Sequence, residues 1–165
     1  MENIFAQPGK PMPHGATIVN DGVNFSVFTR NGTSVILDIF QNPEDENPCF
    51  SYTFDPKINR TGDIWHVFLK GLKAGALYLY RVDGPFNPEK GHRFNKNTYL
   101  LDPYAKSFTD CSVFANLPPD YVTPVDKIDI LTGKTHSAKG FPKCVVIDDD
   151  EFDWQGDRPI NYPLR

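Results

Sequence analysis

Short runs of alternating apolar and polar residues, separated by turn residues, make up much of this chain. Val23, Phe25 and Val27 alternate with polar positions, which predicts a half-buried strand over residues 23–27. The remaining predicted strands lie at residues 34–40, 49–54, 64–69, 77–82 and 144–147. Because no window of about ten residues keeps a helical period, the pattern favours a fold built from strands.

These strands and their turns predict an all-β fold, an immunoglobulin-like antiparallel β-sandwich. Asn31-Gly32 predicts a tight hairpin between the strands at 23–27 and 34–40, since both residues tolerate positive φ. Residues 1–15, rich in proline and glycine, predict an extended lead-in. Residues 102–142 lack a regular pattern and predict a long irregular loop excursion over the sandwich.

Composition narrows the partners this protein is expected to have. The length of 165 residues suits one domain, and 17 Lys+Arg against 21 Asp+Glu give a net charge of −4. Without a basic stripe, a long apolar run or a signal-like start, we expect no nucleic acid, no membrane and a cytoplasmic location. Three widely spaced cysteines, Cys49, Cys111 and Cys144, predict thiols in a reducing compartment.

The usual catalytic and metal-binding patterns are missing from the sequence. Gly133-Lys134-Thr135 looks like the end of a phosphate-binding loop, but Ile128 stands where that motif requires glycine. The histidines have no paired metal-ligand spacing, and the acidic run at 148–153 lacks the alternation of a calcium loop. We therefore expect no catalytic residue, no metal and no cofactor in this chain.

Several collinear motifs are more specific than the fold class. They are PGKPMPHGAT (8–17), GVNFSVF (22–28), LYLYRVDGP (77–85), GHRFN (91–95), LLDPYAK (100–106) and FDWQGDRP (152–159). In this order and spacing, they resemble the N-terminal region of isoamylase-type glycogen debranching enzymes, which belong to the α-amylase superfamily of glycoside hydrolases. The resemblance extends over nearly the whole chain.

The resemblance implies a non-catalytic module of a larger enzyme that hydrolyses the α-1,6 branch linkages of glycogen or limit dextrin. Residues 1–150 would form an isoamylase-N-type β-sandwich that packs on a catalytic (β/α)₈ barrel of the same polypeptide and shapes its substrate groove. Residues 151–165 would form a linker toward that barrel. Phe152, Trp154 and Tyr162 in the linker are the residues expected to dock on the barrel.

An independent module that tethers glycogen or maltooligosaccharide is the alternative function. Exposed aromatic rings stack on pyranose rings, and the candidates are Trp65, Tyr78, Tyr80, Phe86, His92 and Phe94. The chain is also similar, around Val82-Asp83-Gly84, to the glycogen-binding module of the AMP-activated kinase β subunit, which uses two tryptophans and a lysine. Here Phe86 and Leu79 replace one tryptophan and the lysine, and residues 41–47 contain no aromatic residue, so weak binding is expected.

Proteins of related architecture suggest two further hypotheses about the class of this protein. Pullulanases, branching enzymes and trehalohydrolases have similar N-terminal modules, but the motifs favour the debranching type. An immunoglobulin-like adhesion domain is disfavoured because the Cys…Trp…Cys pattern of that class is missing.

Overall fold

A computed structural model describes residues 4–109, 137–151, 153 and 155–157. The strands in this part of the chain are β1 (Phe5–Pro8), β2 (Gly15–Val19), β3 (Gly22–Phe28), β4 (Ser34–Phe40), β5 (Phe50–Thr53), β6 (Arg60–Thr61), β7 (Ile64–Lys70), β8 (Leu77–Asp83), β9 (Phe86–Asn87), β10 (His92–Arg93), β11 (Ser107–Phe108) and β12 (Cys144–Val145). Short 3₁₀ helices occupy Pro88–Lys90 and Asp149–Glu151.

The strands form two five-stranded antiparallel sheets and one small hairpin. The first sheet has the order β1-β7-β3-β2, with β6 also paired to β7. The second has the order β11-β12-β8-β4-β5, and β9 pairs with β10. The predicted all-β antiparallel sandwich is therefore confirmed.

The core lies between the inner faces of the two sheets. In the first sheet, Val23, Phe25 and Val27 lie directly opposite Leu69, Val67 and Trp65, and all six side chains are buried. In the second sheet, the buried inner residues are Val35, Leu37, Ile39, Tyr78, Tyr80 and Val82. The rings of Phe25 and Tyr78 meet edge to face, 5.0 Å apart, and join the two layers.

The predicted hairpin at Asn31-Gly32 is wrong. The strand before it, β3, pairs with β2 and β7, whereas the strand after it, β4, pairs with β5 and β8 in the other sheet. Residues 29–33 therefore connect one sheet to the other. Gly32 is needed for close packing there, since an added Cβ would lie 2.8 Å from the Thr29 side chain.

The N-terminal lead-in contains structure that the sequence pattern did not predict. Strand β1 pairs with the edge of β7, and β2 begins at Gly15. Between them, residues 9–14 cross the outer face of the first sheet. We call residues 9–14 the first covering segment.

Residues 95–105, which we call the second covering segment, pass along the edge of the second sheet beside β8, and Tyr99 of this segment covers part of the outer face of the sheet. Tyr99 packs on this face, with its ring 5.8 Å from the ring of Phe40 and 5.6 Å from the Arg81 guanidinium. Lys143 is also fully buried here; its ammonium donates to backbone carbonyls of Pro43 and Ala138 and lies 4.9 Å from the Phe40 ring.

The predicted excursion over residues 102–142 includes the short strand β11, which pairs with β12. Residues 110–136 of the excursion lie outside the described residues, as does Cys111. The buried thiol of Cys144 accepts a hydrogen bond from the Asp102 amide at 3.3 Å, and burial raises its pKa to about 12.

Candidate carbohydrate-binding site

Three of the six predicted sugar-stacking residues are part of the core. Trp65, Tyr78 and Tyr80 are at most 1% exposed, because their positions in β7 and β8 face the opposite sheet. A ring with no accessible face cannot stack on a sugar. This burial corrects the sequence-based candidate set, which retains Phe86, His92 and Phe94.

The buried hydroxyl of Tyr78 has a hydrogen-bond partner within the protein. The Tyr78 hydroxyl donates to Oδ2 of Asp102 at 2.9 Å, and Oδ1 of Asp102 accepts from the Tyr104 amide at 2.8 Å. Burial is the main cause that raises the pKa of both Tyr78 and Asp102. This arrangement attaches the second covering segment to the core.

The remaining candidates lie on and beside the β9–β10 hairpin. The Asn87 side chain accepts a hydrogen bond from the Lys90 amide at 3.3 Å and caps the 3₁₀ turn Pro88–Lys90. Gly91 ends this turn with φ 79°, a left-handed conformation that glycine adopts without steric cost. The short loop and its cap hold the two strands in register.

The hairpin register separates the three candidates. Phe86 pairs with Arg93, and Asn87 pairs with His92. Directly opposite residues point to one side of a hairpin and successive residues alternate, so Phe86 and His92 lie on opposite sides. His92 and Phe94 share a side and their rings stack, with centroids 6.4 Å apart and planes 29° apart.

A groove of about 260 Å³ lies next to Phe94, at the edge of the second sheet. It also contains Asn95 and Thr98, which the sequence analysis did not single out. Within the described residues, Nδ2 of Asn95 and Oγ1 of Thr98 are buried with no hydrogen-bond partner. The sequence Asn95-Lys-Asn-Thr98 has the composition of an ordinary turn, so nothing in the sequence pattern indicated these two atoms.

Leu79, which stands at the kinase module's lysine position, lies on a covered face. It is fully buried on the outer side of the second sheet, directly opposite Asp38, which is also fully buried. Arg81 donates to Asp38 through two nitrogens, at 2.5 and 3.1 Å. Tyr99 of the second covering segment therefore lies on the sheet face that the resemblance to the kinase module implies.

Two larger grooves, of about 370 and 570 Å³, flank the loop before β8, at the far end of that strand from the hairpin. Neither is lined by a predicted sugar-stacking residue. The predicted barrel-docking residues Phe152, Trp154 and Tyr162 lie outside the described residues.

The described residues contain neither a membrane-spanning helix nor a cluster of metal-ligating side chains. No helix there is long and apolar enough to cross a membrane. No group of three or more His, Cys, Asp or Glu side chains in that part of the chain could hold a metal ion.

Comparison with known proteins defines the class. Residues 13–105 match the family model described as carbohydrate-binding module 48 (isoamylase N-terminal domain). The match begins just before β2 and ends in the second covering segment, so it includes most of both sheets. The chain belongs to this family of N-terminal modules.

The curated relatives are longer enzymes. The chain is 37% identical to isoamylase 1, chloroplastic, of Arabidopsis thaliana over 99% of its own length and 19% of the relative's. It is 38% identical to a glycogen debranching enzyme of Yersinia pseudotuberculosis over 94% of its own length and 21% of the relative's. The chain thus spans about a fifth of the curated relatives it matches.

Solved structures show the same fold at low sequence identity. The catalytic module of the pneumococcal glycogen-degrading virulence factor SpuA superposes with a TM-score of 0.56 and 15% identity, over 90% of this chain and 18% of that one. The GBS pullulanase SAP in complex with maltotetraose gives a TM-score of 0.54 and 18% identity, over 87% and 15%.

Proposed function

We propose that this chain is the non-catalytic N-terminal module of an enzyme that hydrolyses α-1,6 branch linkages of glycogen or limit dextrin. The observation that carries the proposal is the coverage: 94% of this chain matches only 21% of a glycogen debranching enzyme. The module would pack on a catalytic barrel of the same polypeptide and shape its substrate groove. The barrel would supply both catalytic carboxyl groups.

Tyr104 and His14 support a role in packing. Their ring centroids are 4.9 Å apart, and Tyr104 is 51% exposed although its backbone is held by Asp102. A rigidly held, exposed aromatic ring loses little conformational entropy on docking and is typical of protein interfaces. The linker residues Phe152, Trp154 and Tyr162 stay predicted contacts of the same kind.

The test extends the coding sequence beyond Arg165 and assays the full-length protein on glycogen limit dextrin. We expect the full-length protein to release reducing ends and this chain alone to release none. Tyr104→Ala in the full-length protein should lower its thermal stability or activity, whereas Ile58→Ala, at an equally exposed apolar residue, should change neither. A full-length protein without a barrel, or without release, would overturn the proposal.

The second candidate function is independent binding of an α-glucan. The stacked rings of His92 and Phe94, both half-buried beside an open groove, are the observation that favours it. Native gel electrophoresis with and without glycogen tests it. Retardation that Phe94→Ala abolishes would support binding on this side of the hairpin, and unchanged mobility at high glycogen would exclude a useful tether.

The cytoplasmic location stays a prediction. The Arabidopsis relative is named as chloroplastic, so the compartment differs at least in that protein from the one expected here. Fractionation of cells that express the full-length protein would test the prediction.

A further inference from the structure

The dipeptide Asn31-Gly32 lies in the connection between the two sheets, where it forms no hairpin. It is the only Asn-Gly pair in the sequence. In unfolded chains Asn-Gly is the asparagine pair most prone to deamidation, because glycine has no side chain that would hinder attack on the asparagine side chain. The pair is therefore a candidate modification site, and the structure of residues 29–33 decides whether the reaction can occur.

Deamidation of an Asn-Gly pair is an intramolecular substitution. The backbone nitrogen of Gly32, after losing its proton to solvent, would attack Cγ of the Asn31 side chain. The new N–C bond closes a five-membered imide ring, and the bond from Cγ to the side-chain nitrogen breaks, so that ammonia leaves with a proton. Water then opens the ring at either of its two carbonyls and gives aspartate or isoaspartate. The attack requires the nitrogen to lie about 3 Å from Cγ and to be free of its proton.

The amide hydrogen of Gly32 already has an acceptor in the folded chain. The Gly32 N–H donates to Oγ1 of Thr29 at 3.2 Å. A Cβ added at Gly32 would lie 2.8 Å from both Oγ1 and Cγ2 of Thr29 and 3.1 Å from Cγ1 of Val82, so the atoms around this residue are closely packed. The nitrogen that must lose its proton is thus held by a hydroxyl and by neighbouring side chains.

The carbonyl end of the same peptide group is held as well. A Cβ added at Gly84 would lie 2.9 Å from the carbonyl oxygen of Asn31, so this oxygen lies against the backbone at Gly84. One residue beyond the pair, the Thr33 amide donates to the Asp83 carbonyl at 2.8 Å. The attack requires the peptide group between Asn31 and Gly32 to rotate, and the contacts at both of its ends oppose that rotation.

We propose that Asn31-Gly32 is a deamidation site that the folded module keeps inactive, and that the Thr29 hydroxyl is the group chiefly responsible. Asn31 is exposed, so water reaches its side chain and the reaction is limited by the held Gly32 nitrogen. Local opening of residues 29–33 releases that nitrogen and allows the reaction. Isoaspartate adds one carbon to the main chain, and so lengthens a connection whose two ends, at Thr29 and Thr33, are both hydrogen-bonded. The proposal is independent of glucan binding and of a catalytic barrel.

The test measures the deamidation rate of the full chain at mildly alkaline pH by peptide mapping with mass spectrometry, which separates aspartate from isoaspartate. Thr29→Val keeps the shape of the side chain and removes the acceptor, so the folded variant should deamidate about three- to tenfold faster, as expected for one lost hydrogen bond. Thr29→Ser retains the acceptor and should react at the wild-type rate. In urea that unfolds the chain, all three proteins should react at one rate, at least about tenfold faster than the folded wild type.

Two controls separate the Thr29 hydrogen bond from a general loosening of the connection. Thr33→Val makes the same chemical change on the other side of Gly32, at an exposed position, and should leave the deamidation rate unchanged. Hydrogen exchange gives a second measurement on Thr29→Val. Exchange of the Gly32 amide should become faster by a similar factor, whereas the Thr33 amide, which donates to a backbone carbonyl, should keep its protection.

Three other outcomes would overturn the proposal. Equal deamidation rates in folded and unfolded wild type would show that the fold gives the Asn-Gly pair no protection. A folded Thr29→Val chain that deamidates no faster than wild type would show that the hydroxyl has no such role. Faster deamidation of Thr29→Val together with lost protection of the Thr33 amide would show that the whole connection opens, and that the single hydrogen bond to Gly32 does not control the reaction.

Discussion

Irregular chain packs on the outer faces of both sheets, but the interactions that hold it differ between the two faces. On the first sheet, Asn24 accepts from the Lys10 amide at 2.7 Å and donates to the Lys10 carbonyl at 3.0 Å. Ser26 donates to the Pro11 carbonyl at 2.7 Å. The first covering segment is thus attached by neutral side chains that mimic the hydrogen bonds of an additional strand.

On the second sheet the attachment involves charge. Asp38 is fully buried, and it accepts from Arg81 and, at 2.5 Å, from the Ser51 hydroxyl. Tyr99 of the second covering segment lies over the Arg81 guanidinium. A buried carboxylate is costly without its cation, so the surface on which Tyr99 packs includes a buried ion pair, whereas the first covering segment is attached by neutral hydrogen bonds.

Removing the cation should produce the largest effect. Arg81→Met leaves the Asp38 carboxylate buried and unpaired, which should lower the free energy of unfolding by about 3–5 kcal/mol. Arg30→Met is the matched control, because Arg30 pairs with Asp63 at 3.0 Å but its side chain is 72% exposed. The control should cost at most about 1 kcal/mol in urea denaturation. Equal losses of unfolding free energy in the two variants would show that the buried Asp38–Arg81 pair contributes no more than the exposed pair.

Two adjacent tyrosines sharpen the contrast within the second sheet. Tyr78→Phe removes the donor to Asp102 and should cost about 1–3 kcal/mol of unfolding free energy. Tyr80→Phe removes a buried hydroxyl that has no partner among the described residues, so stability should stay the same or rise. Thermal denaturation of both variants checks this, and a destabilised Tyr80→Phe would reveal a buried water at that hydroxyl.

Loosening the first covering segment should cost less. Asn24→Ala removes two hydrogen bonds to Lys10 and should lower the free energy of unfolding by about 1–2 kcal/mol. Hydrogen exchange at the Lys10 amide should become faster, while amides of β8 keep their protection. Asn47→Ala, at an exposed position, serves as the control and should change neither quantity. Unchanged exchange at Lys10 would mean that the segment is held by packing alone.

The smallest expected effect is a pH dependence of the free energy of unfolding, caused by His66 in the first sheet. Burial is the main cause that lowers the pKa of His66 below its usual value of about 6.5. As the pH falls below 6.5, the unfolded chain binds a proton that the folded chain does not, so stability decreases until the folded pKa is reached. The stability difference between wild type and His66→Gln should shrink from pH 7 to pH 5 by at most about 1 kcal/mol. A widening difference would contradict this sign.

Much of the fold could be predicted from local pattern. The strand predicted at 34–40 matches β4, and those at 64–69 and 77–82 match β7 and β8 within one residue. Alternation along β7 places Trp65 and His66 on opposite faces of the first sheet. It could not show that both are buried, because His66 is buried by residues 9–14, more than fifty positions away in the sequence.

The candidate site also combines residues that the sequence pattern revealed with features that depend on the tertiary structure. Phe86, His92 and Phe94 were found because aromatic residues are recognisable in a sequence. Their separation depends on the register of β9 and β10, in which a shift of one residue would reverse every side chain. Asn95 and Thr98 were missed because an unpartnered atom is defined by what surrounds it in space.

The sequence by itself determined the class of fold, the positions of the main strands and membership in a family of N-terminal modules, because periodicity and short motifs are local properties. Only the tertiary structure decided which strands share a sheet, as the wrong hairpin at Asn31-Gly32 shows. It also decided which aromatic rings face solvent and where two polar atoms lack partners. Those properties depend on contacts between residues that are distant in the sequence, and the local pattern does not predict such contacts.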